Sequence, residues 1–503
     1  MKRAFIALAC LSLPLFAQAS IKGTWEGAIQ IQGIELSTVV TFASEGDELT
    51  ATIDIPQQNA RGLELKNVSF DDPRVHFELD AGVSMAIFDG ELADGEIKGS
   101  FTQGPAEGEF YLNPAEKKEP EVLPYAEEEV SIKVNDDVTL AGTLTIPEGE
   151  GPFTAVILIT GSGAQDRNEE IFGFKPFAII ADHLTRNGIV VLRCDDRGFA
   201  SSTGDRSQAT TEDFADDVLA QVTYLKTRSE IDTSHIGLLG HSEGGIIAPM
   251  VDVKSDDIEF VVLMAGTALP GEQILLAQQR AILMAEQIPE DQIEEAADLQ
   301  KRIFAALLSG NEAELEALKP EIRKSTAKSI KKMPRNERKA LGNLKEYVNA
   351  QIQQGFAAIQ TPWYEFFLTH DPRENLAKMD ARVLAFFGEK DRQVLPDMNA
   401  KALEETFAQA GKTDYIIKTC CKANHLFQSA ETGRPSEYGS LPKEFTPCFL
   451  PAVTAWILEQ PIPDECDHGD GDHPEGSGCG AHKEEGCQKA REGGCPKAGK
   501  HNK

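Results

Sequence analysis

Residues 240–244 read Gly240-His241-Ser242-Glu243-Gly244, a G-x-S-x-G pattern. A serine hydroxyl is a weak nucleophile until a base removes its proton, so the pattern means little without a histidine and an orienting acid elsewhere. Its surroundings give it weight. The apolar run 236–239 precedes it and a helix-compatible run, 245–251, follows, which is the strand–turn–helix setting such a serine needs. Glycines at 240 and 244 allow the flanking chain to pack around a sharp elbow that lifts the Ser242 hydroxyl to the sheet's carboxyl edge.

Base and acid are sought in loops after later strands. Gly388-Glu389-Lys390-Asp391 follows the apolar run 383–387, and Asn424-His425-Leu426-Phe427 follows a run ending near 419. The chain order Ser242, Asp391, His425 is the Ser…Asp…His order of α/β-hydrolases. Glu389 is the alternative acid and His370 the alternative base, whereas His183 and His235 read as packed or surface histidines. The oxyanion formed on acyl transfer needs two main-chain N–H groups. Glu243, next to the nucleophile, should supply one. The glycine-rich loop after residues 155–160 should supply the other, from Ser162 or, second, Gly163.

Stepping outward, residues 130–460 alternate short unbroken apolar runs (155–160, 189–193, 236–240, 260–265, 383–387, 415–419) with helical stretches (177–187, 211–228). That rhythm predicts a mostly parallel sheet covered on both faces. An interruption at 269–380 looks all-helical, with Pro289-Glu290-Asp291 as a helix start and Leu299, Ile303 and Leu307 at helical spacing. Lying between two sheet strands, it is placed to form a cap. Its basic stretch 323–345 reads as a solvated helix face or a contact with the acidic body. Before the sheet, residues 20–112 show period-two alternation broken by turn formers, as in Val75/Phe77/Leu79 followed by Asp89-Gly90 and Asp94-Gly95. This predicts a small antiparallel barrel or sandwich, an accessory module rather than a ligand container. Its opening Gly23-Thr24-Trp25 resembles the first strand of lipocalin-like barrels. Residues 113–129, rich in Pro, Glu and Lys, read as a linker.

Four segments together carry a resemblance to the α/β-hydrolase superfamily, and within it to bacterial esterases of the EstD type. They are residues 161–169 (Gly161-Ser162-Gly163-Ala164-Gln165-Asp166-Arg167-Asn168-Glu169), Asp195-Asp196-Arg197-Gly198, residues 240–245 and Gly388-Glu389-Lys390-Asp391. The resemblance implies an α/β fold with a helical cap, carboxylic ester hydrolysis through an acyl-enzyme on Ser242, His425 and Asp391, small-molecule ester substrates and no required cofactor. Ala164 where proline is usual, and Phe199-Ala200 after Asp-Arg-Gly, depart from the family pattern near the catalytic edge. A peptidase or thioesterase would use the same triad. The 20–112 region is too short for the propeller of prolyl-oligopeptidase-like enzymes, and acyl-CoA is scarce outside the cytoplasm.

Composition bounds the partners. The 503 residues carry 49 Lys+Arg against 81 Asp+Glu, a formal charge of −32, with 41% hydrophobic and 26% charged residues. Such a field repels phosphate backbones, which argues against nucleic acid. Lys2 and Arg3, the apolar run 4–16 and Ala17-Gln18-Ala19 read as a secretory signal peptide over residues 1–19, and no later stretch is long and apolar enough for a membrane span. The mature chain is expected to be exported, periplasmic or secreted; Cys10 as a lipid-bearing first residue is disfavoured by Ala7. Among the cysteines of the folded part, a bridge from Cys420 or Cys421 to Cys448 is compatible with export but not assigned by sequence. The tail, 464–503, lacks apolar residues to bury and is expected to be disordered. Its Cys466, His468, His473, Cys479, His482, Cys487 and Cys495 are candidate ligands for zinc or copper, at spacings that match no zinc-finger template. A rival of another class follows: an exported metal-binding or envelope-docking protein built around that tail.

Overall fold

Period-two alternation produces a closed antiparallel barrel in the first part of the chain. The computed structural model describes residues 21–31, 34–46, 48–55, 60–81, 84–104, 106–115, 122–333, 335, 338, 341 and 343–463. The signal-peptide segment and the Cys/His tail, with all seven candidate metal ligands, lie outside them. The barrel strands are β1 (Gly23–Ile31), β2 (Ile34–Glu45), β3 (Glu48–Ile55), β4 (Ala60–Asp71), β5 (Arg74–Asp80), β6 (Met85–Ala93), β7 (Glu96–Gln103) and β8 (Ala106–Pro114). Each pairs with the next and β1 closes on β8, which leaves no unpaired edge. Along β5, Val75, Phe77 and Leu79 point inward while the residues between them are less buried. Phe77 stacks on Phe88 at 4.6 Å and meets Phe42 and Phe110 edge-on at 5.8 and 5.6 Å. An eight-stranded barrel can enclose its own side chains or one small ligand; these rings occupy part of its interior.

The second unit is built on an eight-stranded sheet: β9 (Tyr125–Lys133), β10 (Thr139–Pro147), β11 (Phe153–Ile159), β12 (Val190–Cys194), β13 (Ile231–His241), β14 (Phe260–Met264), β15 (Arg382–Gly388) and β16 (Tyr415–Cys420). Their order across the sheet is β16-β15-β14-β13-β11-β12-β10-β9. The pairs β9–β10 and β10–β12 are antiparallel and the rest parallel. Every residue of β12 and β14 is buried, as expected of strands covered on both faces.

One expected boundary is corrected. The proposed linker 113–129 contains the start of β9 at Tyr125, which pairs with Pro147 of β10. Three of the glutamates in this stretch are arginine partners. Glu127, Glu128 and Glu129 lie 3.4, 2.7 and 2.6 Å from Arg193, Arg228 and Arg167.

Helices α1 (Pro176–Arg186), α2 (Thr211–Leu225) and α3 (Gly244–Lys254) link the strands. A reciprocal capping box between Thr210 and Asp213 starts α2. Between β14 and β15 the chain runs through α4 (Gly271–Ala285), α5 (Glu290–Leu308), α6 (Glu312–Lys332) and the helices Leu344–Ile359 and Pro362–Thr369. This is the helical insertion expected over 269–380. Helix α5 starts after Pro289 with Glu290 and Asp291 in its first turn, and it buries Ile293, Phe304 and Ala306 most deeply. Leu299, Ile303 and Leu307 are half-buried beside them. The basic stretch beginning at 323 is largely exposed along α6, and Lys328 meets Glu295 of α5 at 3.7 Å. Among the described residues no helix is long and apolar enough to cross a membrane.

Candidate active site

Ser242 sits between the end of β13 and the start of α3 with φ +54°, in the left-handed region that few non-glycine residues occupy. Its N–H donates to the Met264 carbonyl at 2.9 Å, tying the turn to the neighbouring strand. The flanking glycines are sterically required. A Cβ on Gly240 would lie 2.1 Å from the Gly244 carbonyl oxygen, and one on Gly244 would lie 2.3 Å from the Ile159 carbonyl oxygen. This is the strained elbow that the motif and its flanking runs predict.

Asp391, in the loop after β15, is fully buried. Its Oδ1 accepts the main-chain N–H groups of Gln393 (2.7 Å) and Val394 (3.0 Å). Its Oδ2 lies 2.7 Å from His425 Nδ1. His425 follows β16 on a loop pinned by buried Asn424, whose Oδ1 accepts the N–H of Leu426 (2.9 Å) and Gln428 (3.0 Å). Carboxylate and imidazole are thus held by main-chain bonds on both sides.

The alternatives lie elsewhere. Glu389 accepts the Lys422 N–H at 2.8 Å and pairs with Lys390 at 3.0 Å; that main-chain N–H holds its carboxyl below the ordinary range. His370 ends the helix Pro362–Thr369 with its ring stacked on Phe366 at 5.1 Å. His235 pairs with Asp232 at 2.8 Å, and His183 lies in the last turn of α1.

Ser242 and His425 line one cavity of about 370 Å³. Its floor includes Ser162, Glu169, His241 and Glu243, and its roof comes from the insertion: Ile274, Leu275 and Gln278 of α4, with Trp363 and Phe367 of the last long cap helix. Ser162 lies in the loop after β11. There Gly161 N–H already donates to Glu169 Oε1 at 2.7 Å, so that group is committed. Glu243 leads into α3, and its buried side chain accepts from Thr211 Oγ1 and Trp363 Nε1, both at 2.7 Å. The cap is therefore bonded to the residue next to Ser242.

The segment Asp195-Asp196-Arg197 supports these loops. Asp195 makes a two-pronged pair with Arg167, at 3.1 and 2.9 Å, and Asp217 makes one with Arg197, at 2.7 Å for each bond. Asp196 accepts from Thr160 Oγ1 (2.6 Å), Gln165 N–H (2.9 Å) and Arg206 (3.0 Å), bracketing the Ser162 loop. Sequence reasoning quoted Glu169, His241 and Asn424 only as parts of motifs and overlooked Trp363. The first three stood inside segments singled out for other reasons; a tryptophan 120 residues from its partner leaves no local signal.

Sheet order, elbow and inserted cap together define an α/β-hydrolase. Within that class, the chain belongs to the Hydrolase_4 family (serine aminopeptidase, S33), which it matches over residues 174–429. It is 36% identical to Esterase EstD of Thermotoga maritima over 188 residues, which are 36% of this chain and 44% of the relative. This chain thus spans less than half the length of that relative. Similar solved structures include an esterase of Pyrococcus furiosus (16% identity, 59% of this chain and 82% of the other, TM-score 0.37). A proline iminopeptidase of Mycobacterium smegmatis is also similar (18% identity, 66% and 98%, TM-score 0.39).

Proposed function

We propose that this protein is an exported serine carboxylesterase acting on small or medium acyl esters. The observation that carries the reading is the hydrogen bond from buried Asp391 to His425, which lines the same cavity as Ser242. In this reading Ser242 Oγ attacks the ester carbonyl while His425 Nε2 takes its proton, and Asp391 holds the imidazole through Nδ1. The N–H groups of Glu243 and Ser162 stabilise the tetrahedral oxyanion. As that intermediate collapses, the C–O bond to the alcohol breaks and His425 returns the proton to the leaving oxygen. Water, deprotonated by His425, then attacks the acyl-Ser242 ester, releasing the acid and regenerating the hydroxyl. No step needs a metal or redox group. The apolar roof suits an acyl chain, and the curated relative is named an esterase.

Short-chain aryl esters test the reading. Wild-type enzyme should hydrolyse them, and Ser242→Ala should lose at least about 10³-fold in kcat. Equal rates in the two would overturn it. Because the family's description names an aminopeptidase, amide cleavage by the same residues is the second reading. Parallel rates on matched esters and amides separate the two.

A further inference from the structure

His241, the residue before the nucleophile, has no part in the acyl transfer just described, yet it is buried and both its ring nitrogens face acceptors. Nε2 lies 3.1 Å from the main-chain oxygen of His425. A carbonyl can only accept, so Nε2 carries a hydrogen. Nδ1 lies 2.8 Å from Glu169 Oε1, an oxygen that also accepts the Gly161 N–H at 2.7 Å. Of the two groups competing for the proton between them, imidazole is the more basic by about two pH units in water. The proton therefore rests on Nδ1, and the ring is an imidazolium. Burial opposes that charge, but Glu169, the His425 carbonyl and nearby Asp391 outweigh it and raise the group above its ordinary value.

The ring centroids of His241 and His425 are 4.8 Å apart. The groups facing the pair are Glu169 from the segment between β11 and α1, Asp391 after β15, and Tyr438, which contacts the His425 main chain.

We propose that His241 is a positioning residue: held through both ring nitrogens between Glu169 and the main-chain carbonyl of His425, it fixes the loop that bears the base. The inference rests on the acyl-transfer reading of Ser242, Asp391 and His425.

Two measurements test it. With ¹⁵N-labelled histidine, assigned by difference from His241→Gln and Glu169→Gln, both ring nitrogens of His241 should carry hydrogens throughout pH 6–8. A His241 with one bare nitrogen at pH 7 overturns the inference whatever the activity. Conversely, an active Ser242→Ala sinks the acyl-transfer reading without changing this spectrum, so the two failures are distinguishable. In kinetics, His241→Gln alters the contacts to Glu169 and to the loop bearing the base. Its kcat should fall about tenfold with KM within about twofold. Glu169→Gln should lower kcat in the same way, while Glu169→Asp should restore it towards wild type. A rise in KM that matches the fall in kcat, or no recovery in Glu169→Asp, would reduce His241 to packing and overturn the proposal.

Discussion

At the scale of single residues, the candidate site divides into what a linear reading can reach and what it cannot. Ser242, Asp391 and His425 were legible because each follows an apolar strand and their order is that of a known arrangement. The preference for Asp391 over Glu389, two residues away, gains its support in space, where one faces His425 and the other Lys422. Asp391→Asn should leave the fold intact and lower kcat by about 10⁴, because the imidazole loses its orienting acceptor. Circular dichroism and ester kinetics on that variant check both halves. Trp363→Phe keeps a ring against Phe367 but deletes the N–H that holds Glu243. A loss of about 1–3 kcal/mol in thermal stability is expected for a buried carboxylate deprived of a partner.

Among elements, the parallel strands were easy to find because burial on both faces leaves them uniformly apolar, as in β14. Strand β9 was hidden because its charges are matched by arginines far along the chain. Barrel and sandwich could not be separated, since both demand the same alternation; only the β1–β8 pairing decides. Inside the barrel, Phe77→Ala should cost about 3–5 kcal/mol, read as a lower thermal midpoint for that unit. Helix α3 offers a pH-dependent case. Asp252, buried near its end, accepts the N–H groups of Asp380 and Ala381, and burial pushes its carboxyl up to about 6. An unfolded aspartate titrates near 3.9, so the folded state holds the proton more tightly. Its contribution is complete below about pH 4 and is lost as pH rises through about 6. Urea midpoints should therefore drop less between pH 4 and 7 in Asp252→Ala than in wild type; parallel slopes would refute the shift.

For the whole molecule, a formal charge of −32 sets the response to salt. Self-repulsion should make the thermal midpoint rise between about 0.05 and 0.5 M sodium chloride, where screening shortens to a few ångströms. The two hydrophobic cores share no residue, one inside the barrel and one around the sheet. The Cys/His tail is testable by dialysis against zinc or copper, comparing the full chain with one ending at Gln460. Metal retained only by the full chain supports capture by the tail, and equal retention counts against it.

The left-handed turn at Ser242 carries one more consequence. Threonine offers an alcohol of similar acidity, but its extra methyl at Cβ makes that conformation a true outlier for a branched side chain. Cysteine, unbranched, meets no such bar. In the proposed reaction, which atom can attack is thus decided before any chemistry begins, by the shape of a peptide turn.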